Sequence, residues 1–415
     1  MIKKILLSLC LIHILFTVNA QYVTIPDEYF RNYLDLHYSS CFNGSEQMDT
    51  TCPAILNATA INVSSSNITN LTGIQYLKNL DTLECSNNRL TSLPPLPNSL
   101  LVLECYQNQL DSLPSLPNSL LVLDCGENQL DSLPSLPNSL IFLACENNPL
   151  TSLPPLPNSL KSLLCPLNSL TSLPTLPDSL SYLDCSFNQL TSMPALPDSL
   201  SYLDCSGNQL TNLPSLPNSL TTLLCFRNQL TSLPTLPDSL TELECDGNQL
   251  TNLPTLPTLL WELTCTSNKL YCLPTLPTQL SELEATGNHI ACLPNIPDRL
   301  LAPNGSMDST WQVCDSANNK YNCPVVQQVA GVTNLITTTD QLLFPNPSTG
   351  IVSFTQGQLA TANISITSTS GTVVFSQNAV NLSSASFDLS NLPKGLYFVQ
   401  INSGLGIVTQ KLALE

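Results

Sequence analysis

The sequence has 415 residues, long enough for more than one domain. Only 10% are charged, yet Asp and Glu outnumber Lys and Arg by 30 to 12, for a net charge of −18. That balance argues against nucleic acid, whose phosphates need basic surface. It favours a cationic partner, metal ions or simple solubility.

Residues 1–20 read as a signal peptide: Lys3 and Lys4 start it, Ile5 to Val18 form the apolar run, and Val18, Asn19 and Ala20 make a small-x-small exit. The run is short for a membrane span. No later stretch is apolar and long enough to cross a bilayer, so export is expected.

Residues 21–79 are expected to cap a repeat array that begins at residue 80. Pro26 to Leu36 reads as a short helix with acids in its first turn. Tyr29, Phe30, Tyr33 and Leu34 are its expected apolar face. Cys41 and Cys52 flank a polar loop and are expected to pair, since export permits it. Ile61, Val63, Ile68 and Leu71 look like a degenerate first repeat, two residues longer than the rest.

From 80 to 300 a 20-residue phrase runs eleven times without a gap. Such a period means a solenoid. In one copy Leu183 and Cys185 alternate with Asp184 and Ser186, at strand period, which places the first pair inward and the second outward. An Asn comes next in every copy, Asn88 through Asn288, able to satisfy backbone groups where the chain turns off the strand. The second half, Leu-Pro-x-Leu-Pro-x-Ser-Leu, cannot be helical, because its prolines fix φ and remove donors. A polyproline-like outer arc with inward leucines is expected. One coil cannot bury its own apolar side, so neighbours must stack.

The phrase Leu-x-x-Leu-x-Cys-x-x-Asn-x-Leu resembles the leucine-rich repeat, with Cys where Leu or Val is usual. The Leu-Pro half resembles the short class of bacterial secreted proteins. The resemblance implies a β-rich solenoid with a parallel concave sheet, a polyproline-like convex side and a partner bound on the concave face. It covers more than half the chain, and it speaks to fold more than to function.

Residues 301–323 are expected to close the array. Cys314 and Cys323 could close a small loop; Cys272 and Cys292, one position in consecutive repeats, could bridge each other, or either could reach the cap. Four cysteines allow about three pairings, and spacing does not choose. Residues 324–341 lose the repeat and read as a linker.

Residues 342–415 change to short Ser-, Thr- and Val-rich runs broken at glycines, which suggests a small antiparallel β-sandwich. Pro345, Asn346, Pro347 and Gly350, then Gly371, then Gly395 and Tyr397, and finally Lys411 resemble the type A sorting domain of the type IX secretion system. That resemblance implies carriage across the outer membrane by the type IX machinery. It also implies cleavage of the domain, with release of the cargo or its attachment to surface lipopolysaccharide.

Ten cysteines, Cys85 to Cys265, recur every 20 residues at an inward position, and Ala285 takes the eleventh place. A one-dimensional row does not converge as a zinc site does, so small buried hydrophobes are expected. The outward strand positions form an acidic surface around an aromatic and aliphatic middle. Tyr106, Phe142, Leu164, Tyr182, Tyr202 and Phe226 are the expected contact residues. Glu242, Glu262 and Glu282 would stack across strands, which is unfavourable without a counter-charge. They suggest a basic partner or bound cations such as Ca2+. No other metal or cofactor is expected.

Catalysis has little support: the histidines are His13, His37 and His289, with no Ser-His-Asp set or phosphate loop. Some bacterial proteins with similar Leu-Pro repeats end in a ubiquitin-ligase domain with a catalytic Cys, but no Cys comes after Cys323 here. The expectation is a secreted or surface binding protein, adhesive or ligand-capturing, whose extracellular partner is a protein, peptide or glycan. The alternative is a structural spacer or surface-layer component without a specific ligand.

Overall fold

A computed structural model describes residues 21–302, 305–307, 310–315, 317–321, 323, 343–344, 347–354, 362–369, 372–380, 386–403 and 406–415. The expected signal peptide and linker lie outside these residues, as do Pro345, Asn346 and Gly371. The chain divides into two compact units, Met1–Val325 and Val326–Glu415.

In the first unit the twenty-residue period becomes a stack of coils. Each contributes one three-residue strand, from Thr82–Glu84 to Glu282–Glu284, and the degenerate first repeat adds Ala60–Asn62. Among the described residues these make one 12-stranded sheet in sequence order. Neighbours pair in parallel and in register, so Leu183 lies against Leu203 and Leu203 against Leu223. The first repeat keeps register across its two extra residues, with Ile61 opposite Leu83.

Four stacked rows fill the interior, one of them the leucine two residues after the Asn, as at Leu190. The leucine preceding each strand, the leucine at its centre and the cysteine after it are fully buried, as at Leu180, Leu183 and Cys185. The ten row cysteines are free and buried. Their thiols can still donate weakly: Cys125 Sγ and Cys185 Sγ each lie 3.4 Å from a carbonyl of the next coil.

The outer arc differs in detail from the expectation of inward leucines. Leu93 and Leu153 are nearly buried, but Leu96, Leu116 and Met193 are only half-buried. The second proline of the arcs from Pro97 to Pro257 is buried instead, whereas in the next arc Leu276 is buried and Pro277 half-buried. An arc without helical or strand hydrogen bonds presents its second proline ring, rather than the leucine before it, to the core.

The repeated Asn is the internal fastener. Asn188 Nδ2 donates to the carbonyls of Cys185 and Ser186 in its own coil and of Cys165 in the preceding one, at 2.9–3.1 Å. Its Oδ1 accepts from Leu170 N at 2.9 Å. The residue just before the Asn has positive φ in every coil, from Asn87 at 55° to Gly287 at 71°. Most are not glycine; Leu167, Phe187 and Arg227 all hold this left-handed turn, which disfavours a Cβ. The serine of each Asn/Asp-Ser-Leu makes a second ladder: Ser179 Oγ donates to the carbonyls of Asn158 and Leu160 at 2.8 and 2.7 Å.

Both ends are sealed. Helix Glu28–Tyr38 begins after Pro26, with Asp27 as its cap. Asp27 Oδ1 accepts from Phe30 N at 3.0 Å, and Oδ2 accepts from the backbone and hydroxyl of Thr69 at 2.8 and 2.7 Å. One carboxylate thus starts the helix and ties it to the first coil. Burial pushes its pKa up, but these hydrogen bonds outweigh burial and hold it below the usual range. Phe30 and Leu34 are buried and Tyr33 is half-buried, but Tyr29 is 58% exposed. Tyr29 therefore does not belong to the covering face.

Cys41 pairs with Cys52. At the other end Cys272 pairs with Cys323 and Cys292 with Cys314. The small loop between Cys314 and Cys323 and the bridge between Cys272 and Cys292 are thereby excluded. Both arc cysteines reach into the cap, where Cys292, Cys314 and Cys323 form a buried cluster with the half-buried Cys272 and Tyr321 against it.

The second unit holds two antiparallel sheets among the described residues, of three and four strands. Ile364, Ile366, Phe387, Tyr397, Val399 and Leu412 fill its core. The sandwich expectation is met.

One measurement checks the ladder. Asn208→Ala removes three donations and one acceptance and leaves buried backbone groups unsatisfied. The loss should be about 3 kcal/mol in urea unfolding; a change under about 0.5 kcal/mol would remove the Asn from this role.

Candidate functional site

Every strand points two side chains away from the core, and the residue after the cysteine adds a third. In-register stacking turns each position into a row along the sheet. All residues of the first row from Thr82 to Glu282 are half-buried, so the sheet surface is dense yet reachable.

The rows bring Tyr182 and Tyr202 together. Their rings stack in parallel at 4.2 Å with 2° between planes, because equal residues meet across paired strands. Ser162 and Thr222 occupy the registered positions on either side, so no bulky side chain stands beside the pair there. Burial, then the hydrogen bond to Tyr182, pushes the Tyr202 hydroxyl pKa well up. Asp184 and Asp204 come two residues after the tyrosines on their strands. Burial raises the Asp204 pKa despite hydrogen bonds from Ser206.

Phe226 meets Phe187 edge-to-face, with ring centroids 6.4 Å apart. The Phe187 ring covers Gly207, where a Cβ would come within 2.7 Å of it. Phe187 is 40% exposed and was not an expected contact residue. It sits in the turn, outside the strand alternation, where periodicity gives no direction. Gly207 in the next coil was the available signal.

Other expected residues fall elsewhere. Phe142 lies between Val122 and Ser162 and has no ring contact among the described residues. Tyr106 donates its hydroxyl to Glu127 Oε1 at 2.9 Å and belongs to an acidic group. Leu164 is half-buried beside Asp184. Ser186, read as outward, is 4% exposed: it donates to Asp184 Oδ1 at 2.7 Å and folds under its surroundings.

At the far end Glu242, Glu262 and Glu282 stack in register as expected. The tighter group is Glu242, Glu244 and Glu262, with one oxygen from each within 4.8 Å of the others. Burial, then repulsion from Glu282 and Glu242, pushes Glu262 up to about 7. Such a trio can share a proton or face a hydrated cation, but it is short of the about six to eight oxygens that Ca2+ takes. Phe226, Arg227, Glu244, Asp246 and Thr266 line an open depression beside it of about 440 Å³.

The cysteine row has no chemistry of this kind. Burial, then the Glu104 charge, pushes the Cys85 thiol up to about 12, and every other thiol of the row is shifted the same way by burial first.

In the second unit Gly350 is required by its backbone: φ is +131°, and a Cβ would lie 2.7 Å from the Ser390 backbone. Pro347 and Gly395 are exposed. Tyr397 is buried and donates its hydroxyl to Pro393 O at 2.6 Å, closing the turn that enters its strand. Lys411 is exposed on the last strand, opposite Phe398.

Residues 342–415 match the secretion system C-terminal sorting domain family. The chain is similar to YopM from Yersinia enterocolitica WA-314, at 39% identity and TM-score 0.52, over 58% of each chain. It thus spans about three fifths of that relative's length. A second YopM, the leucine-rich effector from Yersinia pestis, is 31% identical with TM-score 0.48, over 65% of this chain and 90% of that one. The functional domain of InlJ from Listeria monocytogenes, described as including a cysteine ladder, is 20% identical with TM-score 0.48, over 94% of this chain and 97% of that one. No curated protein matches the chain. Among the described residues no helix is long and apolar enough to cross a membrane.

Two measurements check these titrating groups. At pH about 8 the ten row thiols of the native chain should resist Ellman's reagent and react fully only in denaturant, since only the thiolate attacks. Rapid native labelling would contradict their burial. For Glu262 the folded pKa of about 7 lies above its ordinary 4.5. Between those values the folded chain keeps a proton that the unfolded chain has lost, so stability falls as pH rises through the window. The melting temperature should drop from pH 5 to 7.5, and Glu262→Gln should blunt the drop; an unchanged slope would refute the assignment.

Proposed function

We propose that this chain, a secreted leucine-rich-repeat protein with a type IX C-terminal sorting domain, is a non-enzymatic binding protein that captures an extracellular partner on its concave sheet. The sorting tail assigns it to the type IX machinery and to the cell exterior, released or attached. A signal peptide at residues 1–20 would bring it first to the periplasm.

The tyrosine stack is the observation that carries the reading. Leu, Cys, Asn and Pro recur almost without change, while the outward row passes from Thr and Val through Phe and Tyr to Glu. A spacer has no use for that variety. Two half-buried aromatic rings beside carboxylates offer area, hydroxyls and charge in one place, a mixture common at binding hot spots. Protein, peptide and glycan partners all suit it. Adhesion is the activity such a surface would serve on a cell exterior.

The test screens the mature chain on peptide and glycan arrays, with Tyr182→Ser/Tyr202→Ser as the comparison. Loss of about 2 kcal/mol at a hot spot lowers affinity about thirtyfold, so hits should fade by that order in the variant. Hits unmoved by the double substitution would overturn the tyrosine site, and no hits at all would favour the structural spacer.

A further inference from the structure

We propose that the N-terminal part of the sheet, around Leu121 and Glu104, docks a basic amphipathic segment of a partner protein, one carrying aliphatic side chains next to Lys or Arg. The inference deepens the binding reading above, but it uses coils that do not carry the tyrosine stack.

Three rows define the surface. The residue entering each strand is Leu101, Leu121 and Ile141 on consecutive coils, with Leu101 36% and Ile141 37% exposed. Asp81 and Lys161 bound this run, and most other coils carry Ser or Thr there. The next row, Val102, Val122 and Phe142, is paired in register and half-buried. Each row therefore sets three apolar side chains on coils about 4.8 Å apart. Solvent alone would favour the Ser and Thr of the other coils, and contiguous exposed apolar surface marks contact sites.

The third row is acidic. Glu84, Glu104 and Asp124 are stacked in register beside the valines. Glu127 and Glu146 continue the charge. Among the described residues no Lys or Arg is ion-paired with any of these carboxylates. Glu146 folds over Gly126, where a Cβ would meet its carboxyl at 2.5 Å. Its Oε2 is buried there without a hydrogen-bond partner. Burial, then neighbouring acids, raises Glu104, and burial likewise raises Asp124 and Glu146. The surface is thus short of counter-charge as well as of apolar cover.

One chemistry answers both deficits. A Lys or Arg stem can lie along Val102 and Val122 while its head reaches Glu104 or Asp124. Aliphatic neighbours in the same segment would cover Leu101, Leu121 and Ile141. A hydrated metal ion would leave the apolar rows bare. A second copy would set acid against acid, and an anionic membrane would be repelled.

The test measures fluorescence anisotropy of a labelled peptide of alternating leucine and lysine against the mature full-length chain. Oligolysine of equal charge and alternating leucine–serine are the comparisons. The leucine–lysine peptide should bind at least about tenfold more tightly than either. Leu121→Ser/Ile141→Ser and, separately, Glu104→Gln/Asp124→Asn should each weaken it at least about tenfold. Tyr182→Ser/Tyr202→Ser and Glu242→Gln/Glu262→Gln should leave it within about twofold, being distant. Leu101→Ser, at an exposed position, serves if the double apolar variant loses its fold by circular dichroism. Equal binding of oligolysine, no effect of the apolar variants, equal loss in Glu242→Gln/Glu262→Gln, or no binding would each overturn the proposal. Loss of peptide binding in the tyrosine variant would merge this surface with the stack and overturn it as well.

Discussion

The Asn hydrogen-bond ladder is the constraint on which the first unit depends. A coil this short must turn sharply after its strand, and the turn forces positive φ on the residue before the Asn. Leu167 or Phe187 in that conformation costs about 1–2 kcal/mol per residue. The Asn amide offsets it by satisfying carbonyls in two coils at once. The same contact fixes the stacking register. Turn and stack are therefore one interaction: an isolated coil has no preceding carbonyl to receive the amide, so cooperativity is built into the repeat.

That dependence explains how far the sequence alone is legible. The period, the leucine and cysteine rows and the role of Asn188 can be read because each repeats, and repetition in sequence becomes adjacency in space. The Ser179 ladder recurs from Ser99 to Ser239 but stays hidden, since a serine close to proline reads as ordinary turn chemistry. Phe187 escapes because its direction comes from a left-handed turn rather than from strand alternation. Ser186 escapes because a short side chain can bond back to Asp184 and sink. The cap disulfides are undecidable in principle: four cysteines at one end satisfy several loops, and only the cap's path puts Cys272 beside Cys323.

In-register stacking also imposes a rule on composition. Any residue repeated at one position lies against itself in the next coil. Leucine on leucine is favourable, and asparagine on asparagine makes the ladder. Cysteine on cysteine is small, neutral at these raised pKa values and weakly hydrogen-bonded to backbone, which suits a narrow interior. Carboxylate on carboxylate is the one self-pairing that works against the fold.

The outward rows show this rule under strain. A repeat multiplying by copying would propagate a single outward residue along the whole sheet. Hydroxyl, aliphatic and aromatic residues tolerate that, and Tyr182 on Tyr202 gains a stack from it. Glu242, Glu262 and Glu282 do not, and Glu262 answers by holding its proton toward neutrality. Retaining such rows when serine or threonine would stack at no cost is a stability sacrifice with no benefit inside the protein. The benefit has to lie outside it, in what the carboxylates meet. The same reasoning applies to Leu101, Leu121 and Ile141 at the edge of the sheet, and it makes the least self-compatible surface of the repeat the one to probe for a partner.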